Sequence, residues 1–569
     1  MKNSQDRGYT YTNMLRKIVE VTLQSSMAIA VTAAPSIAMG LSFTPVGTYA
    51  TGVFDDSASR ITAFDPNSER LFVVNDNTVA LDVLDISNPN TPNLDFSIDL
   101  GEFGNFGGVN SVAYSNDIFA VAVENETIAN PGEVLFFDSK GALINQITVG
   151  ALPDMLTFTP DGSKLLVANE AEPEGYEEGD IDPEGSVSII DMSNGVGNLT
   201  QNNVTFAGFQ AFNDRVDELR AEGVRIFGPG STVAQDLEPE AIAISEDGKT
   251  AWVTLQENNA IGILDIETAT FTDIVALGFK DHSLPGNGID GSDRDNQINI
   301  DNYPVFGIYQ PDEIASYTVG EKTYLVTANE GDSRDYDGLN EETEVADEVL
   351  DPNAFPNADI LQQDETIGRL EITNTLGDTD GDGDFDELYA FGGRSFSIWD
   401  EAGGLIFDSG DDFEQITAKL LPEFFNSNND ENNSFDNRSD NKGPEPEGVA
   451  IGQVDNRTLA FIGLERIGGF MTYDVSNPLA PKFINYTNNR DFFGDPEAAT
   501  AGDLGPEGLT FISAEDSPNG TALLVLANEV SGTTTIYEIN SVPEPGTIFG
   551  LFVFGAAGNL LLKRKSQTT

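Results

Sequence analysis

The 569-residue chain carries 95 Asp and Glu against 28 Lys and Arg, a formal net charge of −67, with 39% hydrophobic residues, no cysteine and one histidine. So acidic a surface repels nucleic acid and anionic lipid headgroups and attracts divalent cations and basic groups. Without cysteine there are no disulfides, thiol nucleophiles or thiolate metal sites, and with His282 alone a His-rich zinc site or a Ser-His-Asp triad lacks its parts. Any metal is expected on oxygen ligands, which points to Ca²⁺ or Mg²⁺.

At the N-terminus, Arg16 and Lys17 precede the mostly apolar "IVEVTLQSSMAIAVTAAPSIA", and Ser36 and Ala38 suit a signal-peptidase site. Residues 1–38 therefore read as an export signal, with a buried first helix as the alternative.

One unit then recurs through 39–541. A turn with Pro and an acid leads into a β-rich strand, a turn, a second strand ending in Asn or Glu, and a third near "DI" or "DV". Examples are "PDMLTFTPDGSKLLVANE" from Pro153, "PEAIAISEDGKTAWVTLQENNAIGILDIE" from Pro239 and "PEGLTFISAEDSPNGTALLVLANE" from Pro506. Short strands joined by such turns form antiparallel meanders, which cannot bury both faces alone and must stack. The expected fold is all-β, a β-propeller of seven or eight blades, with an open β-sandwich series as the alternative. The weak eighth copy, "DELYAFGGRSFSIWDEAGGLIFDSG" from Asp386, lacks an obvious first strand, and "AFNDRVDELRAEGVRIFG" (211–228) is the best helical insert.

In a blade of antiparallel strands, the loop into the first strand and the loop out of the second share one face. The loop acids Asp154, Glu240, Asp312, Glu447 and Glu507, and the strand-ending acids Glu170, Glu257, Glu330, Glu465 and Glu529, are therefore expected around one channel mouth, with Arg334, Arg394 and Arg466 on the same edge. Carboxylates so crowded share protons, pair with guanidiniums or hold a metal. Alternatively, each Glu ties down a neighbouring loop through backbone N–H groups.

"DTDGDGDFDE" (378–387) fits an Asp-x-Asp-x-Asp-Gly cation loop, with Asp378, Asp380, Asp382 and Asp386 as side-chain ligands, Asp384 offering its carbonyl and Gly383 allowing the sharp turn. Tyr389 stands where an EF-hand needs Glu, so this is a single calcium loop in a β-protein, or else an acidic turn without an ion. A second polar cluster, "KDHSLPGNGIDGSDRDNQINI" (280–300), lies in the long insertion before the fifth unit.

Residues 542–569 hold Pro543-Glu544-Pro545, an apolar run over 547–562 and the basic Lys563-Arg564-Lys565. This three-part tail resembles the PEP-CTERM sorting signal, which implies export in a Gram-negative-type bacterium and recognition by an exosortase. A plain C-terminal membrane anchor is the alternative.

Finally, "KDHSLPGNGIDGSDRD", "YLVTANEGDSRDY", "DGDGDFDELYAFGGRSFSIWD" and "KGPEPEGVAIG" resemble the choice-of-anchor I domain, a family similar to mesenchyme-specific cell-surface glycoproteins. The resemblance covers about 43–540 and implies an extracellular propeller with an interchangeable anchor; it brings no catalytic residues, and some relatives carry an alkaline-phosphatase label. The sequence thus points to an exported cell-surface or matrix propeller, a calcium-stiffened binding protein for a surface polysaccharide or protein. The alternatives are a calcium-dependent phosphoesterase of phytase or alkaline-phosphatase type, with Arg334 or Arg394 holding phosphate, and a lactone or sugar-acid hydrolase.

Overall fold

The second strand of each repeat is a continuous apolar run, as in Lys164–Asn169 (KLLVAN), Thr250–Leu255 (TAWVTL) and Leu523–Asn528 (LLVLAN), and nearly all of its residues are buried. A strand packed on both faces reads this way, because sheets cover it on either side. The computed structural model describes residues 39–543, within which 42–540 form one compact unit. The export signal expected at 1–38, Glu544, Pro545 and the apolar run 547–562 lie outside the described residues. Among the described residues, no helix is long and apolar enough to cross a membrane.

Seven four-stranded antiparallel sheets make up the architecture. Their first strands are Thr62–Asp65, Phe106–Ser115, Pro153–Phe158, Pro239–Ile244, Ile314–Val319, Pro446–Val454 and Pro506–Ile512. Each touches the first strand of the next sheet, and the last returns to the first, which closes the ring of a β-propeller. The blades are numbered here in that order. The seventh is completed by the N-terminal strand Met39–Ala50, which lies beside Thr533–Pro543. Within that pairing the hydroxyls of Thr48 and Thr535 meet at 2.9 Å. Apolar side chains fill the spaces between blades: Phe209 stacks on Phe271 at 4.1 Å between the third and fourth, and Phe396 meets Tyr473 at 4.6 Å between the fifth and sixth.

The weak eighth repeat is not a blade. Its Ser395–Asp400 and Leu405–Asp408 are the third and fourth strands of the fifth blade, and its Tyr389–Ala390 joins a separate five-stranded sheet. That sheet gathers Phe279–Asp281, Phe306–Ile308, Tyr389–Ala390, Glu371–Thr373 and Glu342–Glu344 from two insertions. It has its own core, including Ile289, Val305, Ile367, Ile372 and Leu388. The helical insert forms a 3₁₀ turn at Gln210–Arg215 and an α-helix at Val216–Glu222 that stops at Gly223, whose positive φ of 101° suits a C-terminal cap.

Strand direction decides where insertions emerge. Loops between second and third strands, and between one blade and the next, all open on one face; the other two sets of loops open on the opposite face. The long segments 170–185, 209–238, 277–313, 330–394, 409–445 and 488–505 all belong to the first class. They build up a single face of the propeller, around one mouth of its channel.

Candidate functional site

The Asn-Glu pair that ends three second strands divides its work. The Asn ties its strand to the third strand of the same blade: Asn169 Nδ2 donates to Ser188 Oγ at 2.9 Å, Asn329 Nδ2 to Ser397 Oγ at 2.8 Å and Asn528 Nδ2 to the Thr533 carbonyl at 3.1 Å. The next residue turns toward the mouth, and its backbone N–H fixes the loop entering the first strand. Glu170 donates to the Leu152 carbonyl at 2.9 Å and Glu529 to Gly505 at 2.7 Å; after Asn329-Glu330 it is Gly331 that donates, to Gln310 at 3.1 Å, and in the sixth blade Glu465, which follows Leu464, donates to Glu445 at 2.9 Å. The accepting residue precedes the Pro of the repeat and is left-handed, with φ of 42° at Leu152, 47° at Glu445 and 64° at Gly505. Only the last is glycine, so the mouth loops hold local strain of about 1–3 kcal/mol at each non-glycine position.

Strand register defines two sets of equivalent positions. Counting back from the pairs Thr62↔Val73, Val112↔Val121, Leu156↔Val167, Ile242↔Val253, Ile314↔Thr327, Val449↔Ile462 and Leu509↔Leu526, the loop position is Arg60, Asn110, Asp154, Glu240, Asp312, Glu447 and Glu507. Counting forward, the strand-end position is Asp76, Glu124, Glu170, Gln256, Glu330, Glu465 and Glu529. Glu257 therefore lies one residue past the place expected for it, which Gln256 occupies, although its carboxylate still reaches Glu170 and Glu240. Asp76 and Glu124 complete the strand-end set in the first two blades, whose loop positions, Arg60 and Asn110, lack the Pro-acid signature.

The two sets meet at the mouth. Arg60, Asp154, Asp312, Glu447 and Glu507 line a channel of about 630 Å³. Burial, together with the neighbouring Glu465, Glu507, Glu330 and Glu529, drives Glu447 well above the usual carboxylate range. Burial also raises Asp154 to about 6 against the pull of Arg60, and Glu529 to about 7 with help from Glu507. Glu170, Glu240, Asp312 and Glu465 are raised by burial as well.

Countercharge is unevenly spread. Arg60 grips Glu507 through Nε and Nη2, at 2.9 and 2.7 Å. Arg466 reaches Glu445 at 2.6 Å and Glu465 at 3.1 Å, and Lys442 stands 3.6 Å from Glu330 and 3.9 Å from Glu445. The sequence pattern does not mark Arg60, which stands where other blades carry an acid, or Glu445 and Glu238, which precede the repeat Pro instead of following it, or Lys442 and Glu172, which sit inside insertions.

Two of the expected arginines serve other ends. Arg334 is 1% exposed and bridges Asp236 at 3.1 Å and Glu238 at 2.9 Å, beneath the rim and against the Phe227 ring. Arg394 is likewise buried. It pairs with Glu414 at 2.6 Å and donates to the carbonyls of Asp290, Ser439 and Asn441, so it fastens insertions together and has none of the mouth acids as a partner. His282 is buried, its Nδ1 lies 2.7 Å from the Asn287 carbonyl, and burial with Lys280 nearby lowers it to about 3, which keeps it neutral.

The acidic loop projects from the insertion of the fifth blade. Asp378, Asp380 and Asp386 each offer an oxygen within 4.8 Å of the others, and Asp351, Asp384 and Asp386 make a second such trio. Asp384 enters the second trio through a carboxylate oxygen. Asp382 is in neither trio, and its side chain accepts from the Asp384 N–H at 3.3 Å. Asp351, missed in the sequence, arrives through the bridge between Leu350 and Phe385.

Residues 60–478 match the choice-of-anchor I domain, and 541–565 match the PEP-CTERM protein-sorting motif. The chain is 29% identical over 196 residues to Gigasin-3a of Magallana gigas, covering 32% of this chain and 69% of that one. It is 30% identical over 322 residues to the mesenchyme-specific cell surface glycoprotein of Strongylocentrotus purpuratus, covering 48% of this chain and 40% of that relative's length. Among solved structures, it is similar to hydrazine synthase of Kuenenia stuttgartiensis, with TM-score 0.42, 13% identity and coverage of 86% of this chain and 99% of that one. It is also similar to the WD40 domain of Toxoplasma gondii coronin, with TM-score 0.40, 9% identity and 89% of each chain covered. The sorting motif is one that exosortase-type machinery recognises, and with the anchor-bearing domain it marks a secreted, cell-surface-anchored bacterial protein. The chain belongs to the choice-of-anchor I domain family.

Proposed function

We propose that this exported propeller is a binding module of the cell surface or extracellular matrix, holding a surface polysaccharide or protein across the built-up face, in an envelope of Gram-negative type. One observation carries the reading: all six long insertions rise from the face that surrounds the acidic mouth. Calcium at the 378–386 loop stiffens the largest insertion, because its carboxylates then repel each other less and hold one ring geometry. The mouth binds basic groups directly and hydroxyl-rich partners through cations.

A calcium-dependent phosphoesterase is the second reading, favoured by the crowding of raised carboxylates that a metal-activated water would need. Against it, Arg334 and Arg394 are both buried in ion pairs and neither is presented to a phosphate. The full chain is to be incubated with phosphate monoesters and lactones, in calcium and in chelator, and passed over envelope polysaccharide in the same buffers. Retention that needs calcium, without turnover, is expected. Calcium-dependent turnover abolished by Glu447→Gln would replace the binding reading with a hydrolase.

A further inference from the structure

Two tight carboxylate trios lie at the mouth, Glu330–Glu445–Glu465 and Glu170–Glu240–Glu257, each with oxygens within 4.8 Å of one another. Their surroundings differ. Around Glu445 stand Arg438, Arg466 and Lys442, at 2.5, 2.6 and 3.9 Å, so the first trio already has its countercharge within the protein. Among the described residues, the second has no cation in ion-pair contact with its oxygens: Arg334, which bears on Glu257 through space, is paired with Asp236 and Glu238.

Glu240 is 6% exposed and Glu257 4%, and Oε2 of each is buried without a hydrogen-bond partner. An unsatisfied buried carboxylate oxygen is costly and calls for a partner that the fold itself does not supply. All three side chains are held on strand ends: Glu170 follows Lys164–Asn169 of the third blade, while Glu240 opens the first strand of the fourth and Glu257 follows its second. Two oxygens bound to one calcium at about 2.4 Å can be no farther apart than about 4.8 Å, and one oxygen from each of the three carboxylates lies within that limit of the others.

We propose that Glu170, Glu240 and Glu257 form a second divalent-cation site, of calcium type, built into the channel mouth and separate from the 378–386 loop. Three carboxylates suit Ca²⁺ better than Mg²⁺, which usually takes one or two and keeps its waters, and an all-oxygen set disfavours Zn²⁺. The ion joins the third blade to the fourth and turns part of an anionic mouth into a Lewis-acidic one that takes a hydroxyl or carboxylate of a partner. This deepens the binding reading, though the site itself does not depend on it.

Equilibrium dialysis of the full chain against radioactive calcium tests the proposal. In an Asp378→Asn, Asp380→Asn, Asp386→Asn background the mouth site is expected to remain, and adding Glu240→Gln and Glu257→Gln is expected to remove it. Glu170→Gln alone weakens it by about tenfold or more. A loop variant that binds no calcium, or one whose calcium survives Glu240→Gln and Glu257→Gln, overturns the mouth site. Loss of no calcium in the loop variant would instead overturn the loop reading alone. Because the Gln variants keep shape and relieve repulsion, in chelator they melt at or above the parent; melting below it would mark these carboxylates as structural hydrogen-bond partners and also overturn the proposal.

Discussion

Gln256 Nε2 donates a hydrogen bond of 3.0 Å to Glu330 Oε2, across the boundary between the fourth and fifth blades. Both residues occupy the strand-end position of their blades, and Gln256 alone of the seven is uncharged. The amide therefore gives one neighbouring carboxylate a donor where a further acid would repel it. Gln256→Glu should destabilise the protein by about 1–3 kcal/mol at neutral pH in chelator, the range for losing a partner at a buried polar group. Denaturant unfolding of the two proteins checks this.

Arg334→Met keeps much of the bulk but leaves Asp236 and Glu238 buried without their guanidinium. Removing one partner of a buried pair costs about 3–5 kcal/mol. The variant should unfold at markedly lower urea, whereas half-buried Arg215→Met, which loses a surface pair with Glu218 and a contact over the Phe212 ring, should stay within about 1 kcal/mol of the parent.

The acid dependence of stability should run opposite to ordinary acid denaturation. Burial raises Asp154 to about 6, and Glu313 and Glu529 to about 7. In the folded state these groups hold protons that the unfolded chain has already released, so stability present at low pH is lost as pH climbs through their folded values. Glu445 does not share in this slope, since Lys442, Arg438 and Arg466 outweigh the effect of burial and hold it at about 2. In chelator, the melting temperature should be higher at pH 5 than at pH 8, as scanning calorimetry can read.

Calcium at the acidic loop should protect the surrounding insertion. Limited proteolysis is expected to cut near 378–386 faster in chelator than in calcium, and Asp380→Asn with Asp386→Asn should abolish the difference. Cleavage equally fast in both buffers would remove calcium from this loop.

The blades could be read from the sequence because each is local: Thr159–Lys164 or Ser245–Thr250 closes a hairpin between apolar runs. The loop acids were legible too, where a Pro marks the strand entrance. The inserted sheet was not, since its strands are two or three residues long and Phe306 pairs with Tyr389, far along the chain. The same non-local pairing made Ser395–Asp400 look like part of an extra repeat rather than the third strand of the fifth blade. Arg334 and Arg394 bound the long insertion of the fifth blade, but burial cannot be told from spacing, and their partners come from distant insertions.

The arrangement of anions at the mouth is most directly tested by a crystal of the full chain grown with strontium, whose anomalous scattering marks calcium-type sites. Density is expected between Glu170, Glu240 and Glu257 and none between Glu330, Glu445 and Glu465, where arginine and lysine already stand. Strontium bound in neither trio, or only between Glu330, Glu445 and Glu465, would contradict the account.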